Sequence, residues 1–152
     1  MPLDDTTKHY EQALAPQAHD ATYRVLIAAA SLVRQRGLAK EIRQDGTGAL
    51  CIHGAIAMAI VGDPSGVPIE SDDLRFCRAT AEVAKYIRSH WRDAKVWPSG
   101  SRGFVGCAVW NNAKSRTAAE VIEALSGAAL ARAEALAKSE AGPVGAACGI
   151  KE

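Results

Sequence analysis

The apolar residues of the chain recur at the spacing of amphipathic α-helices. After Asp20, a favoured N-cap residue, apolar positions repeat every three to four residues as far as Gly37, which predicts a first helix between these two residues. A second helix is predicted within residues 49–62, where an apolar run rich in small residues indicates a buried segment. This run is too short to span a bilayer.

Two further helices are predicted in the second half of the chain. The third has Ser71 as N-cap, acidic residues in its first turn and apolar spacing that continues to His90. The last begins at Thr117, which forms a capping box with Glu120. Residues 92–116 contain glycines and a proline and show no helical period, so we expect a long ordered loop with one short strand. The loop would be packed by Trp97, Phe104 and Trp110.

These elements predict an all-α fold, a compact bundle of four main helices with one long ordered loop before the last helix. The composition agrees, because only 5% of the 152 residues are aromatic while small residues are abundant. We expect residues 1–18 to form an N-terminal arm, residues 19–138 a single helical domain, and residues 139–152 a C-terminal tail.

The net charge and the cysteines indicate which binding partners and which cellular compartment to expect. The net charge of +1, with both signs dispersed, makes nucleic acid an unlikely partner, and no segment predicts a membrane anchor. The N-terminal sequence lacks the pattern of a secretory signal, so we expect a cytoplasmic protein. In that compartment the four cysteines would remain thiols, since none is part of a CxxC pair.

Two stretches carry a family resemblance. They are "CIHGAIAMA" at residues 51–59, with a Cys-x-x-Gly-Ala helix start, and "VWNNAKSRTAAEVIEAL" at residues 109–125, with a Trp-Asn-Asp-Ala-x-x-Arg-Thr corner. With these motifs the chain resembles domain-of-unknown-function family 6197, over roughly Tyr23 to Ala129. The resemblance implies a single all-helical domain, often actinobacterial or phage-related, and no known activity. Asn112 stands where the family pattern has Asp.

The candidate catalytic residues are Cys51 and His53. A cysteine at the start of a helix can have a lowered pKa and act as a nucleophile. However, residues two apart on a helix point about 200° apart, which does not favour His53 as its base. The alternative is a small apolar thiol packed in the core. A zinc site would need Cys77 and Cys107 as ligands in addition to Cys51 and His53. Structural zinc sites usually draw their ligands from pairs that are close in sequence, and these four residues do not form two such pairs, so we predict no metal and no cofactor.

The candidate binding residues lie before the last helix. One interpretation is a binding surface in which the tryptophan ring provides a flat contact and the amides provide hydrogen-bond donors and acceptors. Its residues would be Trp110, Asn111, Asn112 and Arg116. The alternative is a packing role, with the tryptophan closing the core and the asparagines bonding backbone groups. Trp97 is a further candidate, because it lies near several basic residues, although a solvated helix end explains that pattern equally well.

The function that this pattern favours is a small non-catalytic protein-interaction module, phage-derived, with an unknown protein partner; a homodimer is left open. The rival interpretation is a small enzyme or ligand-binding domain with a pocket between the start of the central helix and the 92–116 loop. A third is a weak nucleic-acid binder. We lean away from an enzyme because no set of catalytic groups stands at workable spacing.

Overall fold

The computed structural model describes residues 20–67, 73–92 and 103–141, and this part of the chain contains helices and no strand. The all-α prediction is therefore confirmed. The long last helix packs chiefly on the first, the second also packs on the first, and the third packs on the fourth and fifth. The five helices are α1 (Ala21–Arg36), α2 (Ile52–Val61), α3 (Leu74–His90), α4 (Gly103–Asn111) and α5 (Ala118–Ala141).

Helix α1 begins and ends where local chemistry predicts. The Asp20 carboxylate accepts a hydrogen bond from the Tyr23 backbone N–H at 2.8 Å, and Gly37 follows the last turn with a φ of 91°. Asp20 also forms an ion pair with Arg132 of α5 at 2.6 Å. The cap residue of the first helix thus joins it to the last.

Helix α2 is the buried segment that the apolar run predicts, but it is shorter than residues 49–62. Cys51 is its N-cap, in an extended conformation, and Gly62 is its left-handed C-cap with a φ of 75°. Its residues 52–57 are buried, whereas Val61 at its other end is exposed. The N-terminal half of α2 therefore lies in the core.

The prediction of a long loop with a short strand before the last helix is wrong, because α4 occupies residues 103–111. The bundle accordingly has five helices in its described part rather than four. The sequence of α4, GFVGCAVWN, has no charged residue to mark an outer face, and its glycines and β-branched residues are unfavourable for a helix. Packing against α3 overrides these local preferences. Trp97 lies outside the described residues, as does the side chain of Phe104.

The starts of α3 and α5 test two capping predictions. Helix α3 is capped by Asp73, whose carboxylate accepts from the Arg75 N–H at 2.9 Å, and not by Ser71, which lies outside the described residues. Both residue types are good caps, so composition alone does not choose between them. The capping box of α5 is confirmed: Thr117 Oγ1 accepts from the Glu120 N–H at 3.2 Å, and Glu120 Oε1 accepts from the Thr117 N–H at 3.0 Å.

The residues between α1 and α2, which we call the bridging segment (residues 38–50), cross over the start of α2. Its two ends are held together, since the Ala39 N–H donates to the Leu50 carbonyl at 3.0 Å and the Leu50 N–H donates to the Gly37 carbonyl at 3.1 Å. Both Ala39 and Leu50 are buried. The bridging segment is therefore anchored at its base and places residues 40–44 beside α2 and α4.

A candidate binding cleft

A cleft of about 130 Å³ opens between the bridging segment, the start of α2 and the end of α4. Residues 41–43 and 51–53 are close in sequence, whereas residues 107–112 are distant from both, so the cleft exists only in the folded protein. The lining residues are Glu41, Ile42, Arg43, Cys51, Ile52, His53, Cys107, Ala108, Asn111 and Asn112.

One wall depends on the close approach of the bridging segment to α2. The Cys51 N–H donates to the Arg43 carbonyl at 3.1 Å, and Cys51 Sγ accepts from the Gly54 N–H at 3.3 Å. A Cβ at position 54 would overlap the Arg43 carbonyl group and lie 2.8 Å from its carbon, so glycine is required there. The Cys-x-x-Gly motif thus caps α2 and admits the neighbouring backbone.

The opposite wall is held by two amide side chains at the end of α4. Asn111 Oδ1 accepts from the Ile52 N–H at 3.1 Å, and Asn111 Nδ2 donates to the Ala39 carbonyl at 3.0 Å. Asn112 Oδ1 accepts from the Glu41 N–H at 2.8 Å and from Asn111 Nδ2 at 3.1 Å. These bonds join α4 to the first turn of α2 and to the bridging segment.

The ionisable groups inside the cleft are biased toward their neutral forms. Burial raises the pKa of the Cys51 thiol above its usual value. Burial, assisted by the positive charge of Arg43, lowers the pKa of His53 to about 4. Burial also raises the pKa of Cys107 to about 12. At neutral pH these two thiols and the imidazole therefore carry no charge.

Arg43 joins the cleft to the turn that follows α2. Its guanidinium donates to the carbonyls of Pro64, at 3.1 Å, and Val67, and its Cζ lies 5.6 Å from the centre of the Phe76 ring. Its Nη2 is buried and makes no hydrogen bond within the described part of the chain. The side chain thus places an incompletely bonded cation behind His53.

The cleft brings together four of the residues singled out in the sequence, Cys51, His53, Asn111 and Asn112. Cys51 is extended at the N-cap of α2, so the helical rotation of 100° per residue does not apply between Cys51 and His53. Both can therefore line one cleft. Cys77 is exposed on α3, and no group of three His, Cys, Asp or Glu side chains within the described ranges could hold a metal.

The other two described candidates, Trp110 and Arg116, lie in the packed corner behind the cleft. Trp110 is 1% exposed and packs edge-on against Trp91, with ring centres 4.8 Å apart. The Arg116 guanidinium lies 3.9 Å from the centre of the Trp110 ring, and its Nε donates to the Trp110 carbonyl at 3.0 Å. Arg116 also pairs with Glu120 at 3.0 Å. These contacts are those expected of a packing role. Trp97 is outside the described residues.

Sequence reasoning missed the residues of the bridging segment that form the mouth of the cleft. Glu41 has a φ of 65°, an uncommon conformation for a residue other than glycine. Ile42 is 56% exposed, which is high for an aliphatic side chain beside a cleft. The available signal was weak, since the stretch resembles an ordinary polar linker, and the contact between the Glu41 N–H and Asn112 Oδ1 joins residues 71 positions apart.

The comparison with protein families decides the membership of the chain. A family model described as "Family of unknown function (DUF6197)" matches residues 17–131. The chain belongs to the DUF6197 family. This confirms the resemblance predicted from the sequence. The match includes every residue that lines the cleft of this DUF6197 protein.

No curated protein and no solved structure matches this DUF6197 chain. Within the described ranges, none of its helices combines the length and the apolar character needed to cross a bilayer. The geometry of the cleft therefore supplies the argument about function.

Proposed function

We propose that this protein is a non-catalytic interaction module that binds one apolar side chain of a partner protein in the cleft. The observation that carries the proposal is an exposed isoleucine at the mouth of a cleft whose thiols and imidazole are neutral. Ile42 lines the cleft and is 56% exposed. Exposed aliphatic groups beside a concave site are typical of interaction surfaces.

The size of the cleft limits what can enter it. Its volume of about 130 Å³ is close to that of an engineered protein cavity of about 150 Å³ that binds benzene. A leucine or phenylalanine side chain is of this size, whereas a nucleotide or a large cofactor is not. Ile52, Cys107 and Ala108 supply the apolar wall, so desolvation of such a side chain would drive binding.

The polar groups at the mouth support a peptide as the carrier of that side chain. Asn112 uses only its Oδ1 in hydrogen bonds within the described residues, so its amide Nδ2 has no acceptor there. A peptide carbonyl beside the inserted side chain could accept from this group. Interfaces commonly combine one buried apolar anchor with polar contacts at the rim.

The direct test is a titration of the ¹⁵N-labelled protein with N-acetyl-leucinamide, an apolar side chain on a peptide unit, followed by NMR. We expect amide shifts confined to residues 41–43, 51–53 and 108–112. Ala108→Leu, which fills the cleft, should abolish them. Ala28→Leu, at an exposed position on α1, is the matched control and should not. Shifts spread over the surface, or shifts that survive Ala108→Leu, would refute the proposal.

A second candidate is an enzyme, because Cys51 and His53 line the same cleft. A thiolate–imidazolium pair requires a lowered cysteine pKa and a raised histidine pKa, and both groups shift the opposite way. Alkylation by iodoacetamide at pH 7, in a Cys148→Ser background, separates the candidates. We expect exposed Cys77 to react well before Cys51; fast alkylation of Cys51 would favour the enzyme.

The cytoplasmic location and the phage-related, actinobacterial origin remain proposals from the sequence. Fractionation of cells that express the native protein tests the location. Recovery in the membrane or secreted fraction would contradict it.

A further inference from the structure

The bridging segment contains a short sheet-like pairing beside the cleft. Leu50 forms an isolated parallel bridge with Leu38 on one side and an isolated antiparallel bridge with Gln44 on the other. The Leu50 N–H donates to the Gly37 carbonyl at 3.1 Å, and the Leu50 carbonyl accepts from the Ala39 N–H at 3.0 Å. Both polar groups of Leu50 are thus used toward the first neighbour. Leu50 therefore lies in the middle of the pairing, and Gln44 lies on its outer edge.

The backbone polar groups of Gln44 point to this outer edge. Before this residue, the Cys51 N–H donates to the Arg43 carbonyl at 3.1 Å. After it, the Asp45 N–H donates to the Ala49 carbonyl at 3.0 Å. In antiparallel pairing, a residue between two such bonds turns its own N–H and carbonyl to the opposite side. Gln44 is exposed, and neither of these groups forms a hydrogen bond with another described residue. The edge thus presents a backbone donor and a backbone acceptor.

We infer that the partner segment binds as an extended strand along this edge while its apolar side chain enters the cleft. The inference rests on the proposed function and names the conformation of the ligand at the same site. Ile42, which lines the cleft, lies two positions before Gln44 in the sequence, so the backbones of the two residues are at most about 7 Å apart. An extended peptide of about five residues can therefore reach both the cleft and the edge.

The polar groups at the site require a partner whose backbone groups are not already bonded. Gln44 offers its N–H and carbonyl, and Asn112 offers its Nδ2, which has no acceptor among the described residues. Within a helix the backbone N–H and carbonyl groups bond to each other and cannot make these contacts. An extended segment turns such groups sideways and can pair with an exposed edge. The site therefore favours an extended segment over a helix.

The probe is an end-capped pentapeptide with leucine at its centre and valine or threonine at the other positions, which favour an extended chain. Because alternate residues of a strand turn their amides to opposite sides, two N-methylated versions are compared, each of which blocks one alternate set of amide N–H groups. A leucine-centred peptide held helical by α-aminoisobutyric acid tests the helix. N-acetyl-leucinamide is the reference ligand for the cleft alone.

The readout is NMR titration of the ¹⁵N-labelled protein. We expect the pentapeptide to shift the Gln44 amide in addition to the amides of the cleft. It should bind roughly tenfold tighter than N-acetyl-leucinamide, because it adds hydrogen bonds at the edge. One of the two methylated peptides should lose this gain and the other should retain it, since only one set of amides faces the protein.

A substitution at Gln44 tests the edge from the side of the protein. Gln44→Pro removes the backbone N–H, and sheet edges tolerate proline where that group makes no bond within the sheet. It should weaken pentapeptide binding about fivefold and leave binding of N-acetyl-leucinamide unchanged. Gln44→Ala keeps the N–H and is the matched control, which should change pentapeptide binding by less than about twofold. Circular dichroism checks the fold of both variants; if Gln44→Pro does not fold, the methylated peptides test the same contact in the native protein.

Each contrary outcome has a distinct meaning. Cleft shifts without a Gln44 shift, or equal binding of the two methylated peptides, would overturn the inference and leave the proposed function intact. Tighter binding of the helical peptide would assign the cleft to a helix. Gln44 shifts that grow with protein concentration in the absence of peptide would assign the edge to a second copy of the chain. Absence of cleft shifts with both the pentapeptide and N-acetyl-leucinamide would overturn the proposed function and the inference with it.

Discussion

Replacing Asn111 by alanine should strongly destabilise the protein, because this side chain satisfies two backbone groups at once. Asn111 is buried and joins the Ile52 N–H to the Ala39 carbonyl. A buried backbone group left without its partner costs about 1 to 3 kcal/mol. The adjoining cleft can admit water to part of this space, which lowers the cost. We therefore expect the free energy of unfolding to fall by about 3 kcal/mol.

Urea unfolding followed by circular dichroism measures this change, with the same m-value required for both proteins. The matched control is Asn112→Asp. Only the Oδ1 of Asn112 accepts hydrogen bonds from the described residues, and a carboxylate keeps that acceptor. We expect this variant to lie within about 1 kcal/mol of the native protein. If Asn111→Ala loses less than about 1 kcal/mol, the amide does not hold the cleft walls together, and the structural argument fails.

Three further predictions test the capping, packing and charge arguments. Gly54→Ala should lower the free energy of unfolding by at least about 2 kcal/mol, because the added Cβ would meet the Arg43 backbone. The control is Gly46→Ala, which has open space around it and should change the free energy of unfolding by less than about 0.5 kcal/mol. Urea unfolding of both variants measures these changes. Thr117→Ala should cost about 1 kcal/mol in the same assay by removing one partner of the capping box. For His53 the folded pKa of about 4 lies below the unfolded value of 6.5, so unfolding takes up a proton between these values and stability falls as pH falls. Comparison with His53→Leu from pH 7 to pH 4 should show a loss of about 3 kcal/mol specific to the native protein, and parallel pH profiles would contradict it.

The parts of the fold that sequence predicted are those decided by neighbouring residues. The Asp20 cap, the stop at Gly37 and the capping box at Thr117 each depend on contacts within four positions. Helix α4 could not be predicted in this way. Its segment is apolar around most of the helix and has no charged face, and its helical conformation is stabilised by packing against α3. The start of α3 at Leu74 was predicted only approximately, because Ser71 and Asp73 are both good N-cap residues and local sequence does not choose between them.

The candidate site was predictable in its residues and not in its shape. Cys51 and His53 were selected for their chemistry, and Asn111 and Asn112 for their position before a helix, yet nothing in their spacing places the two pairs together. The bridging segment does so: its Arg43 carbonyl accepts from the Cys51 N–H, its Ala39 carbonyl accepts from Asn111 Nδ2, and its Glu41 N–H donates to Asn112 Oδ1. Such long-range pairing has no periodic signal, so Glu41, Ile42 and Arg43 were taken for part of an ordinary linker.

The two motifs that carry the family resemblance now have one structural explanation. Gly54 admits the bridging segment to α2, and Asn111 and Asn112 fasten that segment to α4, so both motifs build the same cleft. Apart from Asn112 Nδ2, the side-chain amide groups of Asn111 and Asn112 are occupied by these internal bonds. The Asn112 contacts use Oδ1 as an acceptor, which an aspartate at this position would also supply. The aliphatic side chain left to choose a partner is that of Ile42, which lines the cleft and is exposed. We therefore expect exchanges of Ile42 to change partner preference without unfolding the protein, whereas exchanges in the motifs should destabilise the fold.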